Sequence, residues 1–323
     1  MNSTLTLFTA LIGCDPGTED SGVATEEVID LRLTESDYEP GGLTIWGSDA
    51  VIQPGEDIMY CNAGTYEGPD IGIHAINTWQ NQYGHHLQFF GLRATEIDYP
   101  DGVSFPCGTG TDFDMTDTEP VGIPTSVWIG GENTIDNPLL DGMAFKFSSG
   151  QRYLLQAHYV NTGIVAVRVH DLVSFDVLDP DTEVETWAAP LIMNNANIEI
   201  PAGQAGSMTF DCTIEDEANV LFANGHMHEW GTSIRVGRWK GDVETVLTDV
   251  PVWQSVYRDS PPTTYFGSGE VVLTPGDVIR TECNWFNDTD ETLAFPHEMC
   301  DGVALAYPLL NSWICDATTG MSP

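Results

Sequence analysis

Val165-Ala166-Val167-Arg168-Val169 sets three valines on one side of an extended chain and an alanine and an arginine on the other. A strand turns successive side chains to opposite faces, so this period of two marks a half-buried strand rather than a helix. The alternation recurs in Ser233-Ile234-Arg235-Val236-Gly237-Arg238 and around Val271-Val272-Leu273, with Gly, Pro or Asp turn residues nearby. No amphipathic run at helical spacing is found, and a parallel sheet needs helical crossovers. The expectation is an all-β chain of antiparallel β-sandwich or jelly-roll-like domains.

Composition agrees. The 323 residues are 41% hydrophobic with 32 Gly and 19 Pro, and Val, Thr, Trp, Tyr and Phe fall in short runs between turn residues. That length exceeds one comfortable core and suggests two domains of roughly 150 residues each. A boundary at residues 161–163 divides the chain into units 27–161 and 162–323.

Asp and Glu number 49 against 10 Lys and Arg, a net charge of -39, which excludes nucleic acid and anionic membrane surfaces as partners. Such an acidic surface reads as solubility in a salty exterior. Residues 109–119 are acidic enough to attract calcium but lack an ordered ligand pattern.

Residues 1–13 are a short apolar stretch ending in Leu11-Ile12-Gly13 before Cys14, which resembles a bacterial lipoprotein processing site in which Cys14 becomes the lipidated N-terminus, although the usual preceding basic residues are missing. Residues 1–26 are set apart as export signal and acidic tether. No other apolar stretch is long enough to span a bilayer, so membrane contact is expected only through an anchor at Cys14. The expected location is a bacterial cell envelope or the extracellular space.

Six further cysteines, Cys61, Cys107, Cys212, Cys283, Cys300 and Cys315, make an even set, which in an exported chain argues for disulfides. Fifteen connectivities are formally open. Two of the six fall in the first half, so pairing confined to domains joins Cys61 to Cys107.

His226-Met227-His228 places two imidazoles two residues apart, on one face of a strand and aimed at a common point. Met299, in Glu298-Met299-Cys300, can supply a third ligand from another strand. A thioether is a soft, neutral donor that Cu(I) accepts and hard ions refuse, so the set points to copper redox chemistry.

His85 and His86 are adjacent and would face opposite sides of a regular strand, so both reach one ion only near a strand end or a bulge. Their proposed partner is His158, inside the apolar run Tyr153-Leu154-Leu155-Gln156-Ala157-His158-Tyr159. His74 and His170 read as structural, and His297, two residues from Met299, is a competing ligand.

Taken together, His85-His86, Gln156-Ala157-His158-Tyr159, His226-Met227-His228 with Gly231 following, and Glu298-Met299-Cys300 resemble, in order and rough spacing, the copper type II, ascorbate-dependent monooxygenases, the family of the peptidylglycine α-hydroxylating and dopamine β-monooxygenases. Further matches are Trp128 ahead of a glycine pair, Gly142-Met143-Ala144-Phe145 and Pro275-Gly276-Asp277-Val278-Ile279, and the likeness covers about 250 residues, from Cys61 to Cys315.

The resemblance implies two β-sandwich domains with one copper on each. It assigns the electron-storing copper to His85, His86 and His158 and the O2-binding copper to His226, His228 and Met299. It also implies the disulfides Cys61–Cys107, Cys212–Cys315 and Cys283–Cys300, and an activity that hydroxylates a C–H bond with O2 and ascorbate or another one-electron donor. Histidine ligands must be neutral, so copper affinity is expected to fall in acid.

The departures are equally specific. Where peptide-amidating members carry an arginine two residues before the His-X-His pair, this chain has Asn224, and where they carry an Asn and a Tyr after the methionine motif it has Asp301 and Val303. Peptide amidation is not expected, and a small neutral or cationic substrate is. The alternatives are a non-catalytic copper-binding lipoprotein, a zinc hydrolase, since three histidines with an open position also activate water, and a sandwich surface protein with structural histidines.

Overall fold

The computed structural model describes residues 28–37, 41–92, 100–108, 124–130, 135–136, 139–258, 260–295, 297–316 and 320–322. Cys14, the 1–26 segment and the 109–119 stretch lie outside the described residues, as do the side chains of His85, His86 and Trp128. The chain is all-β, and among the described residues the helical element is one 3-10 turn, Ser255–Arg258.

The apolar run around His158 becomes strand Arg152–Val160, the centre of a five-stranded antiparallel sheet ordered Ser104–Gly108, Asp57–Thr65, Arg152–Val160, Gly84–Leu92, Pro124–Gly130. Alternation along this strand sends Leu155, Ala157 and Tyr159 into a core shared with Ile73, Phe145, Phe147, Val173 and Phe175. Those residues belong to a facing sheet ordered Thr186–Trp187, Met143–Phe147, Ile71–Trp79, Leu172–Val177, Leu43–Trp46. Phe89 meets Phe175 edge-on with centroids 4.9 Å apart, the arrangement ring quadrupoles favour. Leu154 points the other way, into a small outer cluster with Met59, Cys61 and Phe90. By the same alternation His158 lies on that outer face.

The boundary expected at 161–163 falls inside this unit. Ala166–Val169 pairs with Val28–Asp30 and Ala50–Ile52, Leu172–Val177 lies between Ile71–Trp79 and Leu43–Trp46, and Thr186–Trp187 pairs with Met143–Phe147. Partners change only between Thr186–Trp187 and Ala189–Asn194. Asn161-Thr162-Gly163 has linker composition, yet Asn161 is fully buried, and its side-chain amide donates to the carbonyls of Ile52 and Val165 at 3.0 Å each. It is a tight connection within the fold.

From Ala189 onward a second pair of sheets encloses its own core, which includes Leu191, Met193, Val220, Ile234, Val236 and Trp285. One sheet runs Ala205–Thr213, Val278–Phe286, Gly231–Lys240, Val243–Val250. The other is built on Ala218–His226, Asp301–Tyr307, Ala189–Asn194 and Trp313–Asp316. Leu221 and Leu305 are buried in the first unit's core cluster, with Phe222 and Tyr307 packed against it.

The disulfides are Cys61–Cys107, Cys212–Cys315 and Cys283–Cys300, the pairing that the resemblance implied. Three such bridges belong to an extracellular or otherwise oxidising compartment. No helix among the described residues is long and apolar enough to cross a membrane.

Candidate metal centre

His226 is the last residue of strand Ala218–His226, whose register against Asp301–Tyr307 runs Asn224↔Val303, Gly225↔Gly302, His226↔Asp301. Partners in an antiparallel ladder share a face, so Asn224, Val303, His226 and Asp301 form one patch. All four are partly exposed. Gly225 and Gly302 sit between them on the inner face. There a Cβ at 225 would come within 2.6 Å of Ile234 Cδ1, and one at 302 within 2.7 Å of Thr281 Oγ1. Two glycines therefore let the facing sheet press against the end of the strand that delivers His226.

Met227 is fully buried in the second core and anchors the His-X-His segment from within. The rings of His226 and His228 lie 5.2 Å apart, nearly perpendicular at 85°. The backbone carbonyl of His228 accepts from the Trp253 indole at 2.8 Å, and its ring Nδ1 lies 3.2 Å from the carbonyl oxygen of His297. A carbonyl only accepts, so Nδ1 carries the proton and Nε2 keeps the lone pair.

The paired register ends at His226↔Asp301, with His228 and Met299 each two residues beyond it on their own segments. Glu298 is fully buried, and burial pushes its carboxyl up to about 8. The Trp285 indole and the amides of Trp230 and His228 pull in the opposite direction without reaching hydrogen-bond geometry. Protein packed round the carboxyl of Asp301, on a residue that is otherwise partly exposed, pushes it up to about 7, opposed by Asn194, whose side-chain amide donates to Asp301 Oδ1. Asn224 donates to the Thr263 hydroxyl at 3.3 Å, and Glu229 pairs with Arg258.

In the first unit His158 is the register partner of His86, and the register slips immediately beyond, so that Tyr159 pairs with Gly84 and His85 is the extra residue. This is the bulge that two adjacent histidines require. His158 itself is buried, and its Nε2 lies 2.6 Å from Asp57 Oδ1. A carboxylate behind one ring nitrogen orients the ring and raises the basicity of the other, so an ion here would attach through Nδ1.

Among the described residues no group of three or more His, Cys, Asp or Glu side chains is arranged to hold an ion. The first set expected from the sequence depends on His85 and His86, whose side chains lie outside those residues, and the second expected set takes a thioether, Met299, as its third member. The donor chemistry suits copper: two imidazoles at one strand end, one with a fixed tautomer, and a sulfur on the adjoining segment.

His297 meets the site through its carbonyl while its side chain is exposed. His74 bonds through Nδ1 to the Met143 carbonyl, and His170 packs against Trp46 with centroids 4.6 Å apart and planes tilted by 31°. Asp57, Asn194 and Trp253 were not legible as site residues, because each reaches it only through long-range register or packing.

No family model and no curated protein matches the chain. Among solved structures, a "Structure of infectious bursal disease virus Gt strain" aligns over 87% of this chain and 77% of its own, at 8% identity and TM-score 0.18. The corresponding Gx strain structure aligns over 83% and 74%, at 9% identity and TM-score 0.18. Similarity that low carries no argument about function.

Proposed function

We propose that the chain is an exported dicopper monooxygenase that hydroxylates a C–H bond of a small neutral or cationic substrate with O2 and a one-electron donor such as ascorbate. The observation that carries the proposal is the pairing of the His226 and His228 rings, 5.2 Å apart at one strand end, with His228 Nδ1 tied to the carbonyl of His297, two residues before Met299. The His86–His158 register pair at a bulge supports a second ion in the first unit.

Bound copper would supply one-electron chemistry, so that one C–H bond, one O2, two electrons and two protons give an alcohol and water. The chain's own residues do the rest. Met227 locks the ligand segment into the core, and the Trp253 bond to the His228 carbonyl fixes where the ring stands. Asp57 orients His158 and holds its Nε2, which directs Nδ1 to the ion.

The patch beside His226 offers the Asn224 amide, Val303 and the Asp301–Asn194 pair, with no guanidinium on these positions to grip a carboxylate. Such a surface selects against anionic substrates by leaving their charge unpaired. A lipid anchor at Cys14 and export of the chain accord with its three disulfides.

The test is O2 uptake under ascorbate with an amine, a neutral aromatic and a glycine-extended peptide, for wild type and Met299→Leu. Substrate-dependent uptake that favours the first two and is lost in the variant is expected. Uptake no greater than that of free copper, or activity that survives Met299→Leu, overturns the proposal.

A further inference from the structure

A bulge persists only where something fixes it, because the extra residue loses its place in the ladder. The His85 bulge is fed by the turn 80–84, whose internal bonds run through Asn81. The Gly84 amide donates to the Asn81 carbonyl at 2.9 Å, and the Tyr83 amide donates to Asn81 Oδ1 at 3.0 Å. The Val160 amide then donates to the Tyr83 carbonyl at 3.0 Å, closing the turn onto the His158 strand.

Asn81 is itself held from beneath. Its Nδ2 donates to Asp171 Oδ1 at 3.0 Å and its backbone amide approaches the same oxygen at 3.4 Å, while Gln80 Nε2 donates to Asp171 Oδ2 at 3.3 Å. Asp171 is 0% exposed, Gln80 2% and Asn81 8%. Tyr159, the register partner of Gly84, is also fully buried, with its hydroxyl making no hydrogen bond.

A buried carboxylate is costly, and apolar packing could fill the same space more stably. What packing cannot do is accept from both the side chain and the main chain of Asn81, the residue on which the turn's hydrogen bonds converge. We infer that Asp171 is a positioning residue for the first copper site: by fixing Asn81 it holds the turn that offsets His85 and keeps His86 opposite His158. The copper role rests on the dicopper reading, whereas the hold on the turn stands on the hydrogen bonds alone.

The full chain is compared with Asp171→Ala, Asp171→Asn and Asn81→Ala by amide hydrogen exchange on metal-free protein and by copper stoichiometry and paramagnetic resonance after loading with Cu(II). Asp171→Ala and Asn81→Ala are expected to speed exchange at Tyr83 and Gly84 by about tenfold or more, a local opening. Each should bind one copper instead of two and lose the all-histidine signal. Asp171→Asn keeps an acceptor for Asn81 and is expected to restore both properties.

Should Asp171→Ala fail to fold, the other two variants decide. Folded Asn81→Ala with wild-type exchange and two coppers overturns the inference, as does folded Asp171→Asn that binds only one. Wild-type protein that binds no copper overturns the dicopper reading and the ligand role with it, while the exchange comparison still judges the hold on the turn.

Discussion

The imidazole of His228 is tied through Nδ1 to the carbonyl of His297, so the ring is fixed to the segment that leads to Met299. In metal-free protein above the histidine titration range, nitrogen chemical shifts should report His228 as the Nδ1–H tautomer. An Nε2–H tautomer would contradict the ligand geometry.

Asp57 should act on copper without touching it. Its carboxylate orients His158 from 2.6 Å, and loss of such a partner typically costs 10–100-fold in metal affinity. Asp57→Asn is expected to weaken the first site by roughly that factor in a chelator competition and to leave the second unchanged. Equal affinities at both sites would refute the assignment.

The Cys283–Cys300 bridge closes a separation of 17 residues and fixes the position next to Met299. Replacing both cysteines by alanine should lower stability by about 3 kcal/mol, the scale for a loop of this size, read as a shift in denaturant midpoint. It should also weaken copper at the second site. An unchanged midpoint would show that the bridge does not constrain the fold.

Burial pushes the Asp171 carboxyl from 3.8 up to about 6, overriding the donors that face it. Between those values the native chain keeps a proton that the unfolded chain has lost, so this group's contribution to stability falls as pH rises through the window. The loss approaches about 3 kcal/mol above pH 6. Carboxylates held low by arginine, such as Asp49 and Asp211, act oppositely and at lower pH. Asp171→Asn should therefore gain relative to wild type as pH rises from about 4 to 7. Parallel pH curves would contradict the buried titration.

With a net charge of -39 and only 10 basic residues, most surface carboxylates lack a cationic partner. Screening relieves that repulsion, so the melting temperature should rise by several degrees between about 0.05 and 1 M sodium chloride. A flat response would mean the repulsion is already balanced locally.

Alternation and the missing helical spacing made the all-β fold legible, because burial on one face leaves a direct imprint on sequence. Alternation names the buried face but not the partner strand, so it carries no sign that Ala166–Val169 and Leu172–Val177 pair with strands that precede residue 161. The adjacency of His85 and His86 demanded a bulge, and the backbone has one there. Asp57, 101 residues from His158, left no local signal, since only strand register brings it close. Asp171 was equally hidden, because its partners lie 90 and 91 residues away.

X-ray absorption of the Cu(I)-loaded protein is the most direct trial of the copper account, with wild type set beside Met299→Leu. Two bound coppers per chain and a sulfur scatterer at about 2.3 Å, present in wild type and gone from the variant, are the expected result. One copper or none, or spectra with only nitrogen and oxygen neighbours in both proteins, would contradict it.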